Sequence, residues 1–233
     1  MKKNYELVIF DLDGTLLDTA PGILPAIAES LDFLDIPHAE IKAHEFIGPP
    51  IEKALAKQLF LKEPLLTAAS REFRKRYKSE HLLKAAPYRG IDTLLIALRQ
   101  MGYGRAVATY KRTSAAEQLL WHCGLSKHLD LIHGTTDEYP MTKAELILRC
   151  IEDYGLCDRA HAVMVGDTAE DADGAAAAGI DFIAVTYGFG FTEGMVLNGI
   201  SPIGIARAPA EILSLIKDEL TPHQGRPDSV FPR

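Results

Sequence analysis

The chain has 233 residues, 47% of them apolar, and carries 25 Lys and Arg against 32 Asp and Glu, a formal net charge of −7. That acidic surplus leaves no basic face to neutralise a nucleic-acid backbone, and no apolar run approaches the length of a membrane span. The length suits one large domain or a core with a smaller insert.

Residues Met1–Glu6 lead straight into a short strand and lack the features of a secretory signal, so a cytoplasmic protein is expected. Its three cysteines, Cys123, Cys150 and Cys157, are odd in number and lack metal-type spacing. They read as reduced thiols. The eight histidines include no His-x3-His pair, and none is assigned to a metal.

The first element is a short apolar run, Leu7–Phe10, which reads as a buried strand. From Ala20 to Ala86 no strand signal appears. Ile23–Leu34, Pro50–Leu61 and Leu65–Leu83 have amphipathic helical patterns, and prolines at 37, 49, 50, 64 and 87 punctuate the stretch. Beyond it, apolar runs at Arg105–Thr109, Leu129–His133, Ala162–Val165 and Asp181–Val185, with a sixth near Ile203–Ala206, alternate with helical patterns. Those helices are Ile91–Met101, Ser114–Cys123, Lys143–Tyr154, Glu170–Ala178 and Pro209–Glu219. Such alternation implies right-handed βαβ units and a parallel, Rossmann-like sheet. The expected organisation is an α/β core over residues 1–19 and 87–220, an all-α cap over 20–86, and a disordered tail over 221–233. The cap would lie over the C-terminal edge of the sheet as a lid. The small-residue run Gly174–Gly179 reads as a tightly packed helix face.

The first strand ends in Asp11-Leu12-Asp13-Gly14-Thr15-Leu16. Residues two apart in a strand face one side, so Asp11 and Asp13 can share a site where parallel sheets bind ligands. Two like charges that close are costly unless a cation lies between them, a proton is shared or both are solvated. The pattern suggests a divalent metal, one carboxylate as nucleophile and the other as acid/base. Three further strings follow. Thr109, in Ala108-Thr109-Tyr110-Lys111, ends a strand, and its hydroxyl and the following amides suit phosphate oxygens. Lys143 opens a helix behind Thr142, a suitable N-cap, although a cation there opposes the helix dipole. Val165-Gly166-Asp167-Thr168-Ala169-Glu170-Asp171 ends another strand in acids suited to Mg²⁺, with Glu170 read as a solvated first-turn acid.

These four strings, in this order, resemble the motifs of the haloacid dehalogenase superfamily, whose members mostly hydrolyse phosphate esters through an aspartyl-phosphate. The resemblance implies Asp11 as nucleophile and Asp13 as acid/base. Mg²⁺ would be held by Asp11, the Asp13 carbonyl and Asp167, with Asp171 supporting its water shell. Lys143 would bridge nucleophile and phosphate. Gly14, Thr109 and Tyr110 would complete the phosphate site, although the family often has Ser or Asn where Tyr110 stands. The strings Phe46–Glu52, Phe73–Tyr77, Pro87–Gly90 and Thr186–Gly190 are similar to those of phosphoglycolate phosphatases and related nucleotidases. The Phe46–Glu52 loop would reach the substrate, while Arg74 and Arg76 suit either an acidic substrate or a solvated face. Asp13 argues against dehalogenase chemistry and the helical insert against a phospho-receiver module. A 5′-nucleotidase and a β-phosphoglucomutase-like phosphomutase remain as alternatives. A small phosphate ester is the expected partner of a monomer or homodimer.

Overall fold

The computed structural model describes residues 4–136, 141–192 and 201–217. The expected tail lies outside them. Six parallel strands form one sheet: β1 (Leu7–Phe10), β4 (Gly104–Arg112), β5 (Leu131–Thr135), β6 (Ala162–Gly166), β7 (Asp181–Val185) and β8 (Gly204–Ala206). Their order across the sheet is β5-β4-β1-β6-β7-β8. The chain therefore starts in the middle and winds first to one edge, then to the other. Strand β1 pairs with β4 on one side and β6 on the other, with Phe10 opposite Val107 and Val165. The residues that follow these three strands are thereby delivered to one place, the crevice where the winding reverses.

Alternation of side chains along β1 sorts the core into two layers. Val8 and Phe10 pack with Leu94, Leu98, Leu119 and Ile212, from α5 (Ile91–Gln100), α6 (Thr113–His122) and α9 (Pro209–Lys217). Leu7 and Ile9 pack with Leu146, Ile147, Ala172 and Ala175, from α7 (Lys143–Tyr154) and α8 (Ala169–Ala178). Both faces are covered, which is why β1 and β6 are unbroken apolar runs. The small-residue face of α8 has a local reason: a Cβ on Gly174 would collide with the side chain of Lys143, so α7 and α8 approach closely there.

Between β1 and α5 lie α1 (Ala20–Phe33), α2 (Ala43–Phe46), α3 (Ile51–Gln58) and α4 (Leu65–Arg76), the last continuing into a wide helical turn over Tyr77–His81. Helices α1, α3 and α4 match the three amphipathic patterns, with α3 shorter than expected. Two-residue strands β2 (Leu17–Asp18) and β3 (Ala86–Pro87) pair antiparallel and bring the two ends of the insert together. Strand β4 runs three residues past Thr109, and β5 begins two residues later than its apolar pattern suggests. Among the described residues, no helix is long and apolar enough to cross a membrane.

A candidate active site at the strand ends

Asp11 follows β1 directly, and its N–H donates to the Val165 carbonyl of β6 at 2.9 Å. The chain then turns tightly. The amides of Leu16 and Leu17 both donate to the Leu12 carbonyl, and the Gly14 N–H donates to Leu17. Gly14 has φ of +88°, and a Cβ there would overlap the Asp167 carboxylate. Glycine is required both by the left-handed backbone and by the close approach. Asp167 follows β6, and its Oδ2 accepts N–H bonds from Phe189 at 2.7 Å and Gly190 at 3.2 Å, while Thr15 Oγ1 donates to Oδ1 at 3.3 Å. Gly188 has no room for a Cβ either, for it would meet the Gly14 carbonyl and the Asp167 side chain.

Lys143 begins α7, where Thr142 and Glu145 form a reciprocal cap: Thr142 Oγ1 accepts the Glu145 N–H, and Glu145 accepts the Thr142 N–H at 2.7 Å. The expected N-cap is present. The Lys143 ammonium crosses to the strand ends. It lies 2.8 Å from Asp11 Oδ1, 2.7 Å from Asp171 Oδ1 and 3.2 Å from the Ala108 carbonyl. Asp171 Oδ2 accepts both the N–H and the hydroxyl of Thr168. Both Asp171 oxygens are thus engaged, and this carboxylate anchors Lys143 and caps α8.

Asp11, Asp167 and Asp171 are all buried, and one carboxylate oxygen from each lies within 4.8 Å of the other two. Burial, with repulsion from Asp171 and Asp13, raises the Asp11 carboxyl to about 7 against the pull of Lys143. Burial and the same crowding of carboxylates lift Asp167 well above the usual range. Burial disfavours the Lys143 ammonium, but Asp11 and Asp171 outweigh it and hold its pKa above the ordinary lysine value. One ammonium among three carboxylates leaves net negative charge in a low-dielectric place. A small hard cation bound by Asp11 and Asp167 fits that deficit and that donor set.

Thr109 is buried, and its hydroxyl accepts the Lys111 N–H at 3.1 Å. The Tyr110 phenol oxygen accepts the Lys143 N–H at 3.1 Å, so this side chain steadies the first turn of α7. Asp13 faces a cavity of about 770 Å³ whose walls include Phe46–Glu52, Phe73, Arg74 and Tyr77 from the insert and Lys111 and Arg112 from β4. The expected insert loop thus lines the cavity. Arg74 pairs with Glu52 at its wall, whereas Arg76 is bound to Glu72 at 2.9 Å and Glu29 at 3.7 Å. Glu170 is not solvated as the sequence suggested. It is half-buried and paired with Lys53 of α3 at 2.8 Å, because the insert descends onto the start of α8. Sequence reasoning also passed over Lys111, 3.2 Å from Asp13 Oδ1, and the tyrosines Tyr77 and Tyr187. The three cysteines are free, and burial pushes the Cys150 thiol up to about 12.

The doubly wound sheet, the helical insert after its first strand and the carboxylates at its strand ends define a Rossmann-like hydrolase core. A family model described as haloacid dehalogenase-like hydrolase matches residues 8–185, and the chain belongs to that family. Among its relatives, the probable phosphatase IndB of Dickeya dadantii is 38% identical over 194 residues, spanning 80% of this chain and 84% of IndB. The tyrosine-protein kinase PtkA of Mycobacterium tuberculosis is 35% identical over 189 residues, 79% of this chain. The match spans only 63% of PtkA. The crystal structure of a predicted phosphatase from Clostridium acetobutylicum superposes with a TM-score of 0.84 at 31% identity, covering 94% of this chain and all of that one.

Proposed function

We propose that the protein is a Mg²⁺-dependent phosphomonoesterase that acts through an aspartyl-phosphate on Asp11. The observation that carries this reading is the position of Asp11: buried, bonded to the Lys143 ammonium and clustered with Asp167. Asp13 lies two residues on, at the cavity wall.

In this reading Asp11 attacks phosphorus in line while Asp13 gives its proton to the departing alkoxide. Asp13 then takes a proton from the water that hydrolyses the acyl-phosphate. Lys143 and Thr109 hold the phosphoryl oxygens, so catalysis is positioning and electrostatics, as phosphoryl transfer requires. The Gly14 amide, expected to join them, is spent on the Leu17 carbonyl at 2.9 Å and serves the turn instead. Asp11, Asp167 and the Asp13 carbonyl would hold Mg²⁺, with Asp171 acting behind them through Lys143 and Thr168. When bound, the ion supplies positive charge beside the nucleophile and the phosphoryl oxygens.

Similarity of the insert strings to phosphoglycolate phosphatases supports a small phosphorylated acid as substrate. The cavity favours a second reading of the leaving group. A volume of about 770 Å³ with an apolar wall of Phe46, Ile47, Ile51 and Phe73 has room for a nucleoside. Phosphate release from phosphoglycolate, nucleoside 5′-monophosphates and sugar phosphates, with Mg²⁺ and with EDTA, tests both. Turnover that disappears with EDTA and in Asp11→Asn is the expected result. A folded, Mg²⁺-binding protein that releases no phosphate from any of them overturns the reading.

A further inference from the structure

We propose that Lys111 is a positioning residue for Asp13, and that Tyr77 extends this control to the helical insert. The inference rests on the phosphomonoesterase reading and concerns two residues to which that reading gives no role.

Lys111 sits near the end of β4, two residues beyond Thr109, with its N–H bonded and its carbonyl packed closely against β5. Its N–H donates to Thr109 Oγ1, and its carbonyl lies so close to Gly134 of β5 that a Cβ on Gly134 would collide with it. The side chain is 8% exposed. The ammonium lies 3.2 Å from Asp13 Oδ1, donates to the Tyr77 phenol oxygen at 3.0 Å and stands 4.6 Å from the centre of the Tyr77 ring. Tyr77 follows α4 and is itself buried, stacked on Phe73 at 5.6 Å with 14° between the ring planes. A chain of contacts therefore runs from the insert, through Tyr77 and Lys111, to one oxygen of Asp13.

The buried ammonium, tethered by its hydrogen bond to the Tyr77 phenol, has little freedom, and its charge draws Asp13 Oδ1 toward it. With Oδ1 occupied by Lys111, Asp13 has Oδ2 for proton transfer. As the bond from phosphorus to the leaving oxygen breaks and that from Asp11 to phosphorus forms, the proton on Oδ2 passes to the leaving oxygen. Proton delivery on this line demands a fixed carboxyl direction. The ammonium's two partners, a carboxylate and a phenol, also account for its burial without a substrate group.

The test uses the leaving group. An alkoxide needs the proton and a p-nitrophenolate does not, and kcat/KM excludes the later hydrolysis common to all esters. The esters are glycerol 2-phosphate, phosphoglycolate and p-nitrophenyl phosphate, assayed with Mg²⁺. Lys111→Met is expected to lose about 100-fold in kcat/KM with both alkyl esters and less than about fivefold with p-nitrophenyl phosphate. Lys111→Arg is expected to recover part of the loss. Tyr77→Phe, which removes a single hydroxyl, is expected to show the same selectivity at smaller size and carries the test if circular dichroism finds Lys111→Met unfolded. Equal losses with all three esters overturn the proposal in favour of a structural role. A loss confined to phosphoglycolate overturns it in favour of substrate binding. Wild-type protein silent on all three esters brings down the phosphomonoesterase reading and this inference together, whereas active wild type with unselective variants brings down this inference alone.

Discussion

Around Asp11, every charged group is buried and held by atoms of the α/β core: Lys143 from α7, Asp167 and Asp171 from the β6–α8 turn, and the amides of Phe189 and Gly190. Around Asp13, the cavity is shared between core and insert, and its outer ion pairs are half exposed, Arg74–Glu52 with side chains 39% and 42% accessible. The first region is fixed by strand register and helix caps. The second depends on how an inserted helical unit lies on the sheet. In the proposed reading, the nucleophile and the phosphoryl group belong to the first region, and the leaving group, with Asp13 beside it, belongs to the second.

The sharpest way to break this contrast is Asp11→Asn. It is expected to reduce phosphate release at least about a thousandfold while the protein stays folded by circular dichroism. Comparable turnover would remove the nucleophile from the rigid region. Next, Lys143→Met leaves three buried carboxylates without their ammonium. A loss of about 3 kcal/mol in urea unfolding without metal is expected, partly restored by Mg²⁺. A loss near zero would show that the cluster takes up protons or water instead.

Gly188→Ala tests the backbone that orients Asp167. The added methyl has no room against Gly14 and Asp167, and a 10- to 100-fold weaker Mg²⁺ affinity by calorimetry is expected. Unchanged affinity would mean that the loop gives way without cost.

Acidity offers a subtler check. Asp11 has its folded-state pKa raised by burial to about 7 from an ordinary 3.8. The stability linked to its proton is fully present below about pH 4 and lost as pH rises through about 7. Metal-free protein should melt at a lower temperature at pH 8 than at pH 5, with Mg²⁺ narrowing the gap. A pH-independent Tm in EDTA would contradict the crowding of carboxylates. The smallest effect is expected on the insert side, where Arg74→Ala should cost about 0.5 kcal/mol or less, because an exposed pair is well screened. A larger loss of stability would make the insert wall as rigid as the strand ends.

The readability of these regions in the amino-acid sequence follows the same division. Strands β1 and β6 are recognisable because both faces are buried, giving unbroken apolar runs that stop at Asp11 and at Gly166. Asp11, Asp13, Lys143, Asp167 and Asp171 stand out because each follows such a run or opens a helix. The end of β4 is obscured by Tyr110, Lys111 and Arg112, polar residues that look like a turn but continue the strand against Thr135. Strands β2 and β3 have two residues each, too few for any period. Lys111 and Glu170 resemble solvated charges, since nothing local reveals that Asp13 and Lys53 meet them from distant parts of the chain. Tertiary contacts that join the insert to the core are the part a local pattern cannot carry.

The antiparallel pairing of Leu17–Asp18 with Ala86–Pro87 sets the entrance and exit of the insert side by side. A segment whose two ends already meet can be lengthened, shortened or exchanged with little change in the closure entropy that the core must overcome. The β2–β3 ladder therefore acts as a graft junction. An insert exchanged at residues 18 and 86 would leave β1 and Asp11 where they are.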